Sequence, residues 1–198
     1  NGNTHMMKNI EWGAVAYLAH SKYGRNGNEI TINNSSGYIT GSAGNSVSAE
    51  YDVGTTAYNT VGGYLASTTG NISGIYDMSG GAWEYVAGNF NSTIANAGSA
   101  TNFNTVWNSQ TEKAKYFDIY DGYNGKIKGD AVYETSTSTS GTTSWFSDYS
   151  YFITSNYPFV LRSGYYGNGS GAGAFCFSYI SGAANSFCGF RPVLSGAL

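Results

Sequence analysis

The chain has 198 residues, of which 41% are apolar but only 11% charged, with 28 glycines against two prolines. This composition describes one domain with a sizeable core and a neutral polar surface, and it excludes collagen, coiled coil and a simple helical bundle. Nine basic against twelve acidic residues give a net charge of −3 and no basic stripe to neutralise phosphates, so nucleic acid is not an expected partner.

Residues 4 to 23 carry the one long helical signal, with Met7, Ile10, Ala14, Tyr17 and Leu18 at the spacing of a single apolar face. Thr4 or Asn3 is the expected cap and Gly24 the expected end. Gly13 inside this helix costs about 1 kcal/mol relative to alanine, which predicts close packing against another backbone. A helix starting almost at Asn1 leads us to expect a removed signal or anchor segment upstream. Residues 25 to 64 read as turns with brief strands such as Glu29 to Ile32, and a second short helix is expected over 59 to 66. The Gly80-Gly81 pair predicts a tight turn into a buried strand bearing Trp83, Tyr85 and Val86. Lys113 to Tyr123 suits one or two helical turns, and Thr135 to Ser144 reads as a mobile loop too polar to pack. Gly189 to Leu194 is a closing strand. No run approaches the ~18 apolar residues of a membrane-spanning helix, so no membrane partner is expected within this segment.

Cys176 and Cys188 fit either a bridge or two free thiols. His5 and His20 lie fifteen residues apart on the one expected helix, point roughly the same way about 22 Å apart and cannot share a metal. Asp118, Asp121, Asn124 and Asp130 form the nearest thing to a calcium cluster, interrupted by Lys126 and Lys128. No hydrolytic triad, phosphate loop or His-x-x-x-His is present. Trp12, Trp83 and Phe190 read as core. Arg162 and Arg191 are expected to pair with scaffold carboxylates or carbonyls, with Glu84, Glu11 and Asp77 as candidates.

Three blocks in order carry a resemblance: Glu11-Trp12, Gly74-Ile-Tyr-Asp-Met-Ser-Gly80 leading to Trp83-Glu84, and Arg162-Ser163-Gly164 with the terminal Gly189-Phe-Arg-Pro-Val193. Across essentially the whole chain they resemble the formylglycine-generating-enzyme (sulfatase-modifying factor) branch of the C-type lectin fold. The resemblance implies one α+β domain spanning 1–198, with two helices, short antiparallel strands and long loops. Its oxidases hold copper on a cysteine pair just after the Arg-Gly-Gly block, because soft thiolates select Cu(I). Here no cysteine follows Arg162 until Cys176, so no catalytic residue, no enzyme activity and no cofactor is expected; structural calcium stays open through the likeness to C-type lectins. The same branch includes the variable proteins of diversity-generating retroelements, and the sequence is similar to these.

Between Arg162 and Arg191, residues 163 to 190 carry no charge and consist of Ser, Tyr, Gly, Asn, Ala, Phe, Cys and one Ile. Antibody loops use a similar set, because Tyr supplies rigid contact area while Ser, Gly and Asn adapt their hydrogen bonds. Residues 162–191 are therefore the expected variable, ligand-binding region, with Ser163, Tyr165, Tyr166, Asn168, Ser170, Phe175, Phe177, Ser178, Tyr179, Ile180, Asn185, Ser186 and Phe187 as site residues. Strand alternation should expose about half of them. The glycines at 164, 167, 169, 171 and 173 suit either an extended segment with one bare face or a loop needing positive φ. The expected function is non-catalytic recognition of a protein or glycan, extracellular or on a bacterial or phage surface. The alternatives are a formylglycine-generating-type oxidase and a structural subunit of a pilus-like filament; oligomeric state is open.

Overall fold

The computed structural model describes residues 3–33, 57–94, 109, 111, 113–122 and 126–195. Asn124 of the expected calcium cluster and the turns expected over 34–56 lie outside them. Among the described residues the class is α+β. The order is β1 (Asn3–Met6), α1 (Asn9–His20), β2 (Trp83–Phe90), α2 (Lys113–Tyr116), β3 (Asp118–Tyr120), β4 (Phe159–Ser163), β5 (Gly173–Ile180), β6 (Cys188–Phe190) and β7 (Pro192–Ser195). Single 3-10 segments cover Gly63–Leu65, Trp145–Ser147 and Tyr166–Gly171. The helix expected over 59 to 66 is thus reduced to one turn, and Glu29 to Ile32 forms no strand.

β1 pairs antiparallel with β7, and a five-stranded sheet runs β3-β2-β4-β5 with β6 also on β2. The sheet is mixed, since β3 and β6 both run parallel to β2. Neither follows β2 through a hairpin turn, so the connection does not force the antiparallel direction. β2 is eight residues long. β6 occupies its first half, pairing Trp83 to Tyr85, and β3 its last half, pairing Gly88 to Phe90.

The helix starts later than its spacing predicts. Thr4 and His5 belong to β1, opposite Leu194 and Val193, so the two histidines do not share a helix. Lys8 is the cap, and its backbone N–H donates to the Glu11 carboxylate at 2.7 Å. Asp118 accepts the Ile10 N–H at 2.7 Å and pairs with the Lys8 ammonium at 3.0 Å, placing negative charge where the helix dipole favours it. The inward face is Asn9, Trp12, Gly13, Ala16 and Ala19. Of the expected stripe, Met7 is buried ahead of the helix, Tyr17 is half-buried, and Ile10, Ala14 and Leu18 face outward. Small residues won this face because they let the chain approach. A Cβ on Gly13 would lie 2.2 Å from the Gly129 carbonyl oxygen, the close backbone contact its position predicts.

Gly80 and Gly81 turn at φ +76° and +72° immediately before β2, as their doublet predicts. Thr135 to Ser144 stays exposed over 137–140 as expected, but its two ends reach the core. Thr135 and Ser144 are buried, their hydroxyls 3.2 Å apart, and Ser144 donates to the Phe175 carbonyl at 3.0 Å. Hydroxyls that bond to one another and to a strand carbonyl can be buried without leaving an unmet partner.

Two charged side chains organise the centre. Arg162 on β4 is fully buried and donates to the carbonyls of Ala131 and Ala174 at 3.3 Å. Its guanidinium lies 5.7 Å from the Trp12 ring and 5.9 Å from that of Phe177. Arg191 forks onto Glu84, reaching Oε2 at 2.5 Å and also Oε1, and donates to the carbonyls of Tyr76 and Asp77 at 3.0 Å. Glu84 is therefore the expected partner, Asp77 offers Arg191 its backbone carbonyl, and Glu11 faces His5 at 2.9 Å.

Burial raises the Asp130 carboxyl from 3.8 to about 6, opposed by the Tyr120 hydroxyl and by Arg162. Burial also raises Glu84 and Asp148. The folded state thus keeps protons that the unfolded chain releases, and stability falls as pH rises from about 4 to about 6, by roughly 3 kcal/mol for Asp130. Urea unfolding should show a higher midpoint at about pH 4.5 than at about pH 7, with Asp130→Asn flattening the slope; a rising slope contradicts this reading. Gly13→Ala should destabilise by about 1–3 kcal/mol in the same assay despite alanine's better helix propensity.

Candidate binding face

Alternation divides the five-stranded sheet into two faces. On one side Glu84, Arg162 and Phe177 align across β2, β4 and β5, toward the main core and α1. On the other, Phe190, Tyr85, Leu161 and Ser178 form a row across β6, β2, β4 and β5. This second face has its own small apolar cluster, Trp83, Leu161 and Cys176. Tyr85, Tyr149, Tyr165, Ile180, Phe187 and Cys188 pack partly buried over it.

Loop backbone is tied down beneath these rings. Tyr166 N–H donates to the Gly81 carbonyl at 2.9 Å, and Trp83 N–H donates to that of Phe187 at 3.0 Å. The Tyr85 hydroxyl donates to the Ala183 carbonyl at 2.8 Å, and burial pushes that phenol up to about 12. Tyr165 stacks on Phe187 at 5.4 Å and meets Tyr166 edge-on at 5.3 Å. A second run of rings leads from Tyr149 to Tyr151 at 5.8 Å, to Tyr179 at 6.1 Å and to Tyr157, stacked at 4.9 Å, and it leaves the outer face, since Tyr179 shares the parity of Phe177 and packs against the main core. Each of these 4.9–6.1 Å separations lies within the range of favourable aromatic contact.

The expected site residues fall on both sides. Ser170, Asn185 and Ser186 are exposed, while Tyr165, Tyr166, Asn168, Ser178, Tyr179, Ile180 and Phe187 are half-buried. Ser163, Phe175 and Phe177 are buried and are corrected to core positions. Phe175 and Phe177 have the parity of β5 that faces the main core. Ser163 takes φ +79° and donates to the Gly80 carbonyl at 3.0 Å, bracing the frame. The alternating glycines do not make an extended strip: Tyr166–Gly171 coils into 3-10 turns, with Gly164 at φ +75° and Gly169 at +55°. A Cβ on Gly171 would lie 2.7 Å from the Tyr149 ring, so this loop carries an aromatic directly on its backbone.

Sequence reasoning missed Tyr85 and Tyr149, and it placed Phe190 in the core although 65% of it is exposed. Period-two parity with Cys188 and Trp83 was the available signal for Phe190 and Tyr85, since these pairs face one another across β6 and β2.

The residues do not fit a copper site. Cys176 is fully buried in β5, where desolvation raises its thiol well above the ordinary value, and burial pushes that of Cys188 to about 11. Both are free thiols, and Cu(I) asks for thiolates. The expected calcium residues have other duties. Asp118 accepts the Ile10 N–H in the first turn of α1, and Asp130 accepts the Tyr120 hydroxyl at 2.5 Å and the Val132 N–H at 3.0 Å. Among the described residues no three His, Cys, Asp or Glu side chains gather for a metal, and no helix is long and apolar enough to cross a membrane.

Comparisons with protein-family models, with curated proteins and with solved structures find no match to the chain. With both thiols held protonated, iodoacetamide at about pH 7.5 should label Cys188 slowly and Cys176 only on unfolding. Rapid labelling of either in the folded chain would contradict their placement.

Proposed function

We propose that this chain is a non-catalytic ligand-binding domain, of the adhesin or receptor-recognition kind, gripping its ligand through the outer face of the five-stranded sheet. One observation carries the proposal: half-buried Tyr and Phe rings cover an uncharged sheet face while their backbone is hydrogen-bonded to the frame beneath. Rigid aromatic area with adaptable Ser and Asn beside it binds at low entropic cost, because little is left to order when a partner arrives.

The three sequence blocks support the finer reading, a C-type lectin fold of the formylglycine-generating branch, close to the variable proteins of diversity-generating retroelements. Ser, Tyr, Asn, Phe, Ile, Cys, Gly and Ala, which make up residues 163 to 190, are reachable from an Asn codon by changing adenines. On this reading the ligand is a protein or glycan on a cell surface, and the domain is extracellular or displayed on a bacterium or phage. The oxidase alternative lacks the thiolate pair it needs.

The test screens the purified chain against a glycan array and a panel of surface-protein ectodomains, then repeats each positive with a Tyr166→Ala, Phe190→Ala double variant. Affinity should fall roughly thirtyfold or more at unchanged thermal midpoint. Binding that survives the double variant, or is lost instead with Leu18→Ala on the far side of α1, would contradict the proposal. In the surrounding DNA, a near-identical repeat differing only at adenines, beside a reverse transcriptase gene, is the arrangement expected for diversification.

A further inference from the structure

The closing segment leaves one edge of the fold open. β6 and β7 are separated only by Arg191, and two contacts fix the direction of their backbone groups. Trp83 N–H donates to the Phe187 carbonyl at 3.0 Å, so residues 187 and 189 turn their groups toward β2. Met7 N–H donates to the Arg191 carbonyl at 3.0 Å, in register with the β1–β7 ladder, so 191, 193 and 195 turn theirs toward β1. The residues between them point away from both strands. This outward row consists of the Cys188 carbonyl, both backbone groups of Phe190, the Pro192 carbonyl and both groups of Leu194.

The side chains of the same row are exposed, Phe190 at 65%, Leu194 at 72% and Pro192 between them. Their neighbours anchor the segment from the other side, Arg191 on Glu84 and Val193 against the main core. An apolar row at period two along an open backbone edge is a template for another strand. Such edges are ordinarily blunted by charge, yet residues 188 to 195 carry only Arg191, which is spent on Glu84. Pro192 places its missing N–H on the outward side, where no bond within the fold is lost.

We propose that this edge takes up an extended, uncharged segment of a protein ligand as an added β-strand. The proposal rests on the binding function of the outer face and narrows its ligand to a polypeptide. Phe190 belongs to both the face and the edge, opposite Tyr85 on β2, so one partner covers the two continuously. A glycan has no amides at strand spacing to meet a row of backbone donors and acceptors. A second copy fits poorly, because two-fold pairing centred on Pro192 sets one proline carbonyl against the other with no N–H between them. A different strand bonds twice at Phe190, once at Pro192 and twice at Leu194, and its alternate side chains pack on the exposed row. The receiving segment is already extended and anchored at every second residue, so little order remains to be imposed when the strand arrives.

The experiment selects binders to the full chain from a displayed library of short random linear peptides and measures them as synthetic peptides by fluorescence anisotropy. Selected peptides should carry apolar residues at alternate positions. N-methylation of alternate peptide amides in one parity should weaken binding roughly tenfold or more, and in the other parity should leave it within about twofold. Leu194→Pro removes an outward N–H without touching the β1 ladder and should cost a similar factor at unchanged thermal midpoint, while Leu194→Ala keeps that N–H and costs less. The methylation pattern needs no variant and decides the matter even where Leu194→Pro fails to fold. Binding indifferent to methylation parity, wild-type affinity in a folded Leu194→Pro chain, a library that yields no binder, or ligands found only among glycans would overturn the proposal. Tyr166→Ala reports on the face alone. A ligand lost with Tyr166→Ala but indifferent to methylation and to Leu194→Pro leaves the face as a binding surface and removes the added strand; the opposite pattern removes the face and keeps the edge.

Discussion

Everything else in this fold is arranged around the Trp12 ring and the two guanidiniums beside it, that of Arg191 at 5.4 Å and that of Arg162 at 5.7 Å. The indole is fully buried and donates to the Ala174 carbonyl at 2.8 Å, fixing α1 to β5. Arg162 is shielded from water and its terminal nitrogens donate to the carbonyls of Ala131 and Ala174, so moving the Ala131 segment or β5 would strand a buried charge. Breaking such an arrangement costs about 3–5 kcal/mol, whatever its net worth when intact. Arg191 adds the reach from the closing segment to Glu84 and to the turn at Tyr76 and Asp77. The three sequence blocks that are far apart along the chain meet here through Trp12, Glu84, Arg162 and Arg191.

This concentration of charge has a consequence for the other side of the sheet. With so few ionisable residues in the chain, those on β2 and β4 that are spent on the core leave the opposite face to Tyr, Phe, Ser and Asn. The tract from 163 to 190 passes from core strand to surface loop without a charge anywhere. On the proposed function, a rigid frame under an uncharged aromatic surface separates folding from recognition: side chains on the outer face could change while the braces below remain. Such a surface is also an apolar liability unless a partner covers it, which is consistent with a recognition surface.

Legibility from sequence followed the range of the interactions concerned. Local rules held where a backbone conformation decided the outcome, as at Gly80-Gly81 and at Gly13. The pairing of Arg191 with Glu84 was foreseeable because an isolated charge beside an uncharged tract has few ways to be satisfied. Apolar spacing misled on α1, since the small residues Gly13, Ala16 and Ala19 take the core face by allowing close approach, a tertiary fact that hydrophobicity does not encode. Thr135 and Ser144 escaped notice because a hydroxyl becomes buriable only when its partner, here a strand carbonyl, is brought from elsewhere. Phe190 was misplaced for a similar reason: its register opposite Tyr85 turns it to the outer face of the sheet, where it is left exposed. Part of the candidate face came from segments remote from the tract, Tyr85 on β2 and Tyr149 before β4, and only the tertiary fold joins them to it.

Hydroxyl-radical footprinting of the native chain, read ring by ring, tests the division between frame and face most directly. Tyr166, Phe187 and Phe190 should be oxidised quickly, and Trp12, Phe175 and Phe177 should be protected until the chain unfolds. Fast oxidation of Phe175 or Phe177, or protection of Phe190 in the monomer, would contradict an outward-facing aromatic surface carried on an arginine-braced core.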